Sequence, residues 1–451
     1  MDATVIATSL PAIAADLGTS PIALKLALTA YFVALAMFIP ISGWMADRFG
    51  ATNVFRAAIG VFVIGSICCA FSNSLETFVV SRFLQGIGGS MMSPIARLLL
   101  LRATPRNELV AAMAWLTLPA LIGPLTGPPV GGFLTTYLSW DWIFWINVPI
   151  GIIGILLVWR FLPATEPRTP RPIDLRGFFL VAVMFSGSMF GLSVISLPAI
   201  PIYAGYGAIA AGAIAAFLYL RHCKKIESPL LDPRLFRHRM FRATIVSGSI
   251  FRIGVGATPF LLPLMLQVGF GLNPFESGMV TFIGALGAIS SKFLAERIFA
   301  AAGFPRVLAA AGIIGSVLLG IHGFFTPETP VPLIYLVLIS TGLMRSIFFT
   351  GINALGYADV TDAEAAQATA ITAVSQQLSI ALGVAVAGGV IEVSTRLHGG
   401  ELGLFDFHVA WFVVAGFSLL SAIPFFRLPP DAGSDVSGHR TRPLPKPDIV
   451  T

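Results

Sequence analysis

Charge is scarce in this chain. Only 11% of its 451 residues are Asp, Glu, Lys or Arg, against about a quarter in an ordinary soluble protein. A soluble enzyme of this size could not cover its surface with so few polar groups. Three cysteines exclude a disulfide scaffold, and Cys68 and Cys69, side by side in an apolar run, read as small packing residues. The six histidines are scattered, with no HExxH and no CxxC, so no metal cluster is visible. No G-x-x-x-x-G-K-[ST] loop is present, which argues against ATP hydrolysis by this chain. No nucleophile and base stand at a recognisable spacing. Asp2 follows Met1 directly and no basic segment precedes an apolar core, so no cleavable signal peptide is evident.

Apolar residues are abundant instead. Hydrophobic types reach 56% and the mean hydropathy is +0.86. That points to an all-α polytopic membrane protein. Its 45 glycines and 31 prolines are tolerated in membrane helices whose neighbours re-satisfy the backbone. Thirteen apolar runs fall at 22–45, 54–75, 79–101, 109–134, 141–162, 176–197, 202–221, 243–268, 276–298, 305–323, 331–354, 365–391 and 408–428. Residues 3–15 add about half a span.

The net charge of +6 could suit nucleic acid, but the basic residues lie in short blocks between apolar runs, so topology explains them better. When the short N-terminal stretch is taken to end outside, twenty-three of the 28 Lys and Arg face inside. Lys25 and Arg396 fall outside, and Arg82, Arg252 and Arg345 lie within spans. The bias of cations to cytoplasmic loops then places both termini in the cytoplasm, which requires an even number of spans. Thirteen runs and one half span give fourteen if the first helix is completed upstream of Met1; the alternative is that 1–15 is an interfacial stub, which leaves an odd count and puts the N-terminus outside. Polar segments at 163–176 and 221–242 bracket two helices. The layout is a six-helix bundle over 1–162, a linker with two extra helices and a basic loop over 163–242, a second six-helix bundle over 243–428, and a disordered cytoplasmic tail over 429–451.

Four motifs stand out. Gly43 to Gly50, GWMADRFG, joins two spans: its glycines permit a tight turn, and Asp47 and Arg48 sit near a helix end, where charges meet the helix dipole. Arg82 lies inside an apolar run, where a guanidinium needs a partner, and Gln85, three residues on, shares its helix face. Gly86, Gly88 and Gly89 follow. Gly123, Gly127 and Gly131 recur every fourth residue, a groove for another helix, with Pro124, Pro128 and Pro129 bending the ladder. Trp140, Trp142 and Trp145 match an interfacial aromatic belt, beside Asn147 and Pro149. Arg252, Arg345, Gln376 and Gln377 are further polar groups within spans, each a candidate for lining a wet path or a satisfied structural group.

Together these motifs resemble the major facilitator superfamily, in its fourteen-helix drug:proton antiporter branch (EmrB/QacA type), over nearly the whole chain except the tail. The resemblance implies two six-helix bundles plus two extra central helices, rocking about a central cavity. It implies that Gly43, Asp47, Arg48 and Gly50 govern the conformational switch, although Ala51 and Thr52 replace basic residues common after the second glycine. It links Arg82 to proton coupling, and Gly123, Gly127, Pro128, Gly131 and Gly132 to exchange and sealing. Asp2, with Thr4, Ala7, Leu10 and Pro11, resembles the end of the first-helix motif, whose Asp is a coupling group. Gln85, Arg252, Arg345, Gln376 and Gln377 are the cavity candidates.

The implied activity is export of small apolar or amphipathic compounds against protons from a bacterial inner membrane. No cofactor beyond the proton gradient is called for, and no nucleic acid; lipid, substrate and protons are the partners, and the monomer suffices. Proton-coupled transport of one defined metabolite is the alternative within the same fold. A membrane scaffold or sensor without turnover is the alternative outside transport.

Overall fold

Apolar runs in lipid become helices because a helix satisfies its own backbone donors and acceptors. The computed structural model describes residues 5–103, 123, 126–162, 174–195, 201–226, 229–291, 294–361, 364–397, 400–437 and 439, and every regular element among them is helical. In chain order these are α1 (Leu10–Asp16), α2 (Lys25–Phe38), α3 (Ser42–Phe49), α4 (Ala51–Ala70), α5 (Leu75–Ala103), α6 (126–137), α7 (Asn147–Phe161), α8 (Leu175–Ile195) and α9 (Ile202–Cys223). They continue with α10 (Arg239–Leu264), α11 (Pro274–Ser290), α12 (Ala295–Ala302), α13 (Phe304–Ile321), α14 (Val331–Leu355), α15 (Ala365–Leu397) and α16 (Leu404–Leu419). Short helical turns extend several of them.

Ten of the described helices, counted with their extensions, are long and apolar enough to cross a bilayer. With α1, α5, α6 and α11 beside them, the described helices are consistent with a fourteen-helix layout. Successive helices alternate direction, so one face gathers the loops with Arg48, Arg160, Arg221, Arg237, Arg306 and Arg427. This is the basic face; the other is the opposite face.

Two short amphipathic helices interrupt the spans on the basic face. α3 ends at Gly50 (φ +83°) before α4, and α12 ends at Gly303 (φ +76°) before α13. Positive φ at these turns suits glycine alone. Ala46-Asp47-Arg48 in α3 and Ala295-Glu296-Arg297 in α12 share one pattern, so the two halves repeat each other locally. The run expected at 276–298 is therefore two elements, α11 and α12. Sequence hydropathy merged them because the apolar stripe of an amphipathic helix adds to the neighbouring span.

The extra helices α8 and α9 form a hairpin beside the junction of the halves. α8 packs on α2 from the N-terminal half and on α15 from the C-terminal half, and Thr29 Oγ1 meets Ser193 Oγ at 3.2 Å. The basic loop that follows is fastened to the C-terminal half. The Tyr219 hydroxyl donates to Leu231 O at 2.9 Å and accepts from Leu231 N at 2.7 Å. Gln367 Nε2 donates to Pro229 O at 3.2 Å. The Asp359 carboxylate caps the start of α10, accepting from Met240 N at 2.8 Å and Phe241 N at 3.2 Å. Arg237 pairs with Glu364 at 2.6 Å, and His238 lies 3.2 Å from the same carboxylate.

The Thr361 hydroxyl first, then His238 and Arg237, hold Glu364 down to about 2. A carboxylate depressed in the folded state contributes fully above its ordinary value of 4.5 and loses that contribution as pH falls toward 2. The Arg237–Glu364 fastening should thus be unchanged from neutral pH to about 5. Glu364→Ala is expected to raise tryptic cleavage at Arg234 and Arg237 at neutral pH, measured against the wild type under the same conditions.

The tail differs from expectation near its start. Ala432 is buried, Gly433 packs against Leu355 and Phe304, and His439 Nδ1 lies 3.0 Å from Ala300 O. Small residues there fit the groove beside α13, a contact that composition does not reveal.

Candidate functional site

Arg82 lies two turns into α5 and is completely buried. Its Nη1 donates to Gln85 Oε1 on the same helix face. Gln85 Nε2 donates to Ser66 Oγ at 2.7 Å, and Asn147 Nδ2 reaches the same oxygen at 3.3 Å. The chain Arg82–Gln85–Ser66–Asn147 ties α5 to α4 and α7. The guanidinium also lies 4.3 Å from the centre of the Tyr31 ring on α2, a cation–π contact strengthened by exclusion of water. Close approach of α5 to α4 depends on Gly88, where a Cβ would stand 2.4 Å from Phe62 N.

The two halves meet at the opposite face. A Cβ on Gly132 of α6 would lie 2.4 Å from Pro274 O, and one on Gly278 of α11 would lie 2.3 Å from Pro128 O. Backbone thus touches backbone across the seam. Phe275 N donates to Thr136 Oγ1 at 3.1 Å, and Gln267 Nε2 donates to Thr8 O at 2.9 Å. Gly131 faces the first segment: a Cβ there would be 2.4 Å from Val5 O. Lys25 completes the closure. It is fully buried, and a Cβ on Gly388 of α15 would meet its Cδ at 2.5 Å. Glu392, one turn beyond Gly388, attracts the ammonium and pairs with Arg396 at 3.1 Å.

On the other side of this seam the halves part. A cavity of about 650 Å³ lies between α2, α5 and α15 and reaches the basic face at Gly43, Arg97 and Leu230. Its walls include Tyr31, Ser90, Ser93, Gln376 and Gln377. Tyr31 therefore borders the cavity while its ring covers Arg82. A second, smaller cavity of about 210 Å³ lies among α10, α11 and α14, and Ala7 and Pro128 of the N-terminal half also border it.

The structure distributes the sequence candidates unevenly. Gln376, Gln377 and Gly43 line the larger cavity. Gln85 and Arg82 do not: they are buried inside the N-terminal half, where Gln85 meets Ser66 of α4 and Arg82 meets Gln85 and the Tyr31 ring. Arg345 lines the smaller cavity. Arg252 lines neither; its guanidinium lies 4.6 Å from the centre of the Phe349 ring. Asp47 is half-buried and Arg48 exposed on α3, and Gly50 supplies the turn. Gly127 and Pro128 are buried and Gly123 is half-buried, all helical, while Asp2 and Pro124 lie outside the described residues.

Lys25, assigned from sequence to an outside loop, is instead buried in the seam. Sequence reading also passed over Ser66, Tyr31, Gly278, Gly388 and His322. The only local signal for Gly278 and Gly388 was small size, which many helix contacts share.

Two helical halves, a seam on one side and a cavity opening on the other define a polytopic membrane transporter. The Major Facilitator Superfamily sequence model matches residues 1–384 and 244–449, and the chain belongs to that superfamily. It is 36% identical over 434 residues to the Pectobacterium atrosepticum protein named "Putative multidrug resistance protein MdtD", covering 96% of this chain and 93% of the relative. The protein of the same name from Salmonella dublin is 36% identical over 451 residues, covering 98% and 95%. Among solved structures, a D-xylose–proton symporter superposes with a TM-score of 0.68 at 15% identity, covering 96% of this chain and 95% of that one. A POT family transporter in complex with 5-aminolevulinic acid gives 0.70 at 14% identity, covering 96% and 93%. These two likenesses concern the fold.

Proposed function

We propose that this chain exports small apolar or amphipathic compounds across a bacterial inner membrane in exchange for protons, by alternating access. One observation carries the reading: the same two halves touch backbone to backbone at the opposite face and part around a 650 Å³ cavity at the basic face. Excess Lys and Arg mark the basic face as cytoplasmic, so both the cavity and the C-terminus face the cytoplasm. A compound enters there. Parting of the α6–α11 seam and closure around Tyr31 and Gln377 then deliver it outward. Proton binding at a carboxylate, for which Asp2 is the candidate, biases the two arrangements. Arg82 acts on that equilibrium through Tyr31, since a nearby positive charge favours the ionised carboxylate. The cavity is built from one chain, so a monomer suffices. The relatives named for multidrug resistance support the substrate class.

Purified protein in proteoliposomes with an imposed pH gradient tests this, using a panel of neutral, cationic and anionic amphipathic compounds. The expected result is uphill movement of several compounds opposite to the proton flow, abolished by an uncoupler. Movement of one hydrophilic metabolite only, in the same direction as protons, would overturn it in favour of the metabolite reading.

A further inference from the structure

The smaller cavity carries an unusual set of polar groups. Arg345 stands near the midpoint of α14 and lines it. Among the described residues Arg345 has no hydrogen bond and no ion pair. No Asp or Glu lines the cavity among those residues. Every described carboxylate of the chain lies in a loop or within two turns of a helix end. A guanidinium held at this depth with no counter-charge among the described residues is costly, and its natural complement is an anion brought in by a ligand.

His322 lines the same cavity from the end of α13 and is fully buried. Its Nδ1 lies 2.8 Å from Leu318 O, and its Nε2 has no partner. A carbonyl oxygen only accepts, so the proton of the neutral ring sits on Nδ1. Nε2 therefore presents a lone pair. Stacking on Trp411, with ring centres 4.8 Å apart, fixes the ring. Thr281 and Thr341 donate their hydroxyl protons to Ser277 O and Val337 O, each at 2.8 Å, so they add no free donor. The remaining walls are mostly apolar, with Leu262 and Phe282 among them.

The cavity thus offers one cationic fork, one buried acceptor and an apolar body. We propose that it is a binding site for a small hydroxylated aromatic carboxylate, with the carboxylate on Arg345 and the hydroxyl donating to His322 Nε2. Arginine recognises carboxylates through paired, charge-assisted hydrogen bonds, and a buried acceptor left unmet penalises a ligand that lacks the matching donor. The proposal deepens the export reading, and rests on it only for the claim that such a compound is cargo.

Binding is measured on the purified full chain in nanodiscs without a gradient. The probes are para-hydroxybenzoate, meta-hydroxybenzoate and para-hydroxycinnamate, with their amides and their counterparts lacking the hydroxyl. At least one hydroxy acid should bind about tenfold more tightly than its amide, and more tightly than its counterpart without the hydroxyl. Arg345→Gln should erase the first preference and leave the second. His322→Phe, which keeps the stacking, should do the reverse. Sulfate in excess should compete poorly. Equal affinity for acid and amide in the wild type, absence of binding by every hydroxy acid, or full competition by sulfate would each overturn the proposal. Where a variant is not monodisperse, the wild-type preferences decide, with Arg345→Lys expected to retain the acid preference. Proteoliposome transport is scored separately: binding without gradient-driven movement of any compound would sink the export reading and leave the site standing, whereas export of neutral compounds without acid preference would do the opposite.

Discussion

Alanine at Gly132 is expected to cut gradient-driven export by about tenfold or more, in a protein that still inserts and runs as a monodisperse species. A Cβ there would stand 2.4 Å from Pro274 O. The intruded atom is backbone, which cannot rotate away as a side chain can. Pro274 belongs to the other half, so the clash exists only when the halves are closed at the opposite face. Overpacking of this kind costs about 1–3 kcal/mol, and a penalty confined to one of two arrangements shifts their ratio by about 5- to 150-fold. Gly278→Ala, which meets Pro128 O at 2.3 Å, should behave alike. Gly60→Ala is the control, since nothing lies within 4 Å of its added carbon. Labelling of Thr136→Cys by an impermeant thiol reagent, with Cys68, Cys69 and Cys223 replaced, reads the seam directly. Gly132→Ala should increase that labelling. Unchanged labelling and transport would show that α6 and α11 do not part and rejoin during the cycle.

The second large effect is expected at Arg82. Removing its side chain as Arg82→Ala strips the donor from Gln85 Oε1, loosens the link through Ser66 to Asn147, and uncovers the Tyr31 ring. Losing one partner of a buried polar network costs about 1–3 kcal/mol per unmet group. Coupled transport should therefore fall by at least about tenfold. Arg82→Lys keeps the charge but not the planar fork, and should recover part of the rate. A purely structural Arg82 would lower thermal stability in both variants and leave the pH profile of the surviving activity in place. A positioning role through Tyr31 predicts that the profile itself moves, in Arg82→Lys and also in Tyr31→Leu. An unmoved profile in both variants would remove Arg82 from the coupling mechanism.

The architecture was legible because hydropathy reports whether a segment meets lipid, and thirteen runs with short polar gaps leave little choice of class. Glycine spacing in α6 was legible too, since a stripe every fourth residue has few uses other than close helix contact. What the stripe touches was not. Pro128 and Gly278 are 150 positions apart, and nothing local in either names the other. The same holds for Lys25, whose place beneath Gly388 depends on how α2 and α15 cross. Arg82 and Gln85 were read correctly as a pair, but their closure by Ser66 and Asn147 needed the α4–α5–α7 packing. His322 looked like one of several scattered histidines until α13 and α14 brought it to the cavity that holds Arg345.

The α8–α9 hairpin leans on α2 and α15 together, the two helices that flank the larger cavity, and its following loop is fastened to the start of α15 and to the loop before it. Any tilt of one half against the other must then shear α8 along α2, where Thr29 and Ser193 touch, while the α15 side travels with the hairpin. In the proposed cycle the accessory pair would thereby act as a lateral brace, resisting the sliding that a swing of the halves requires.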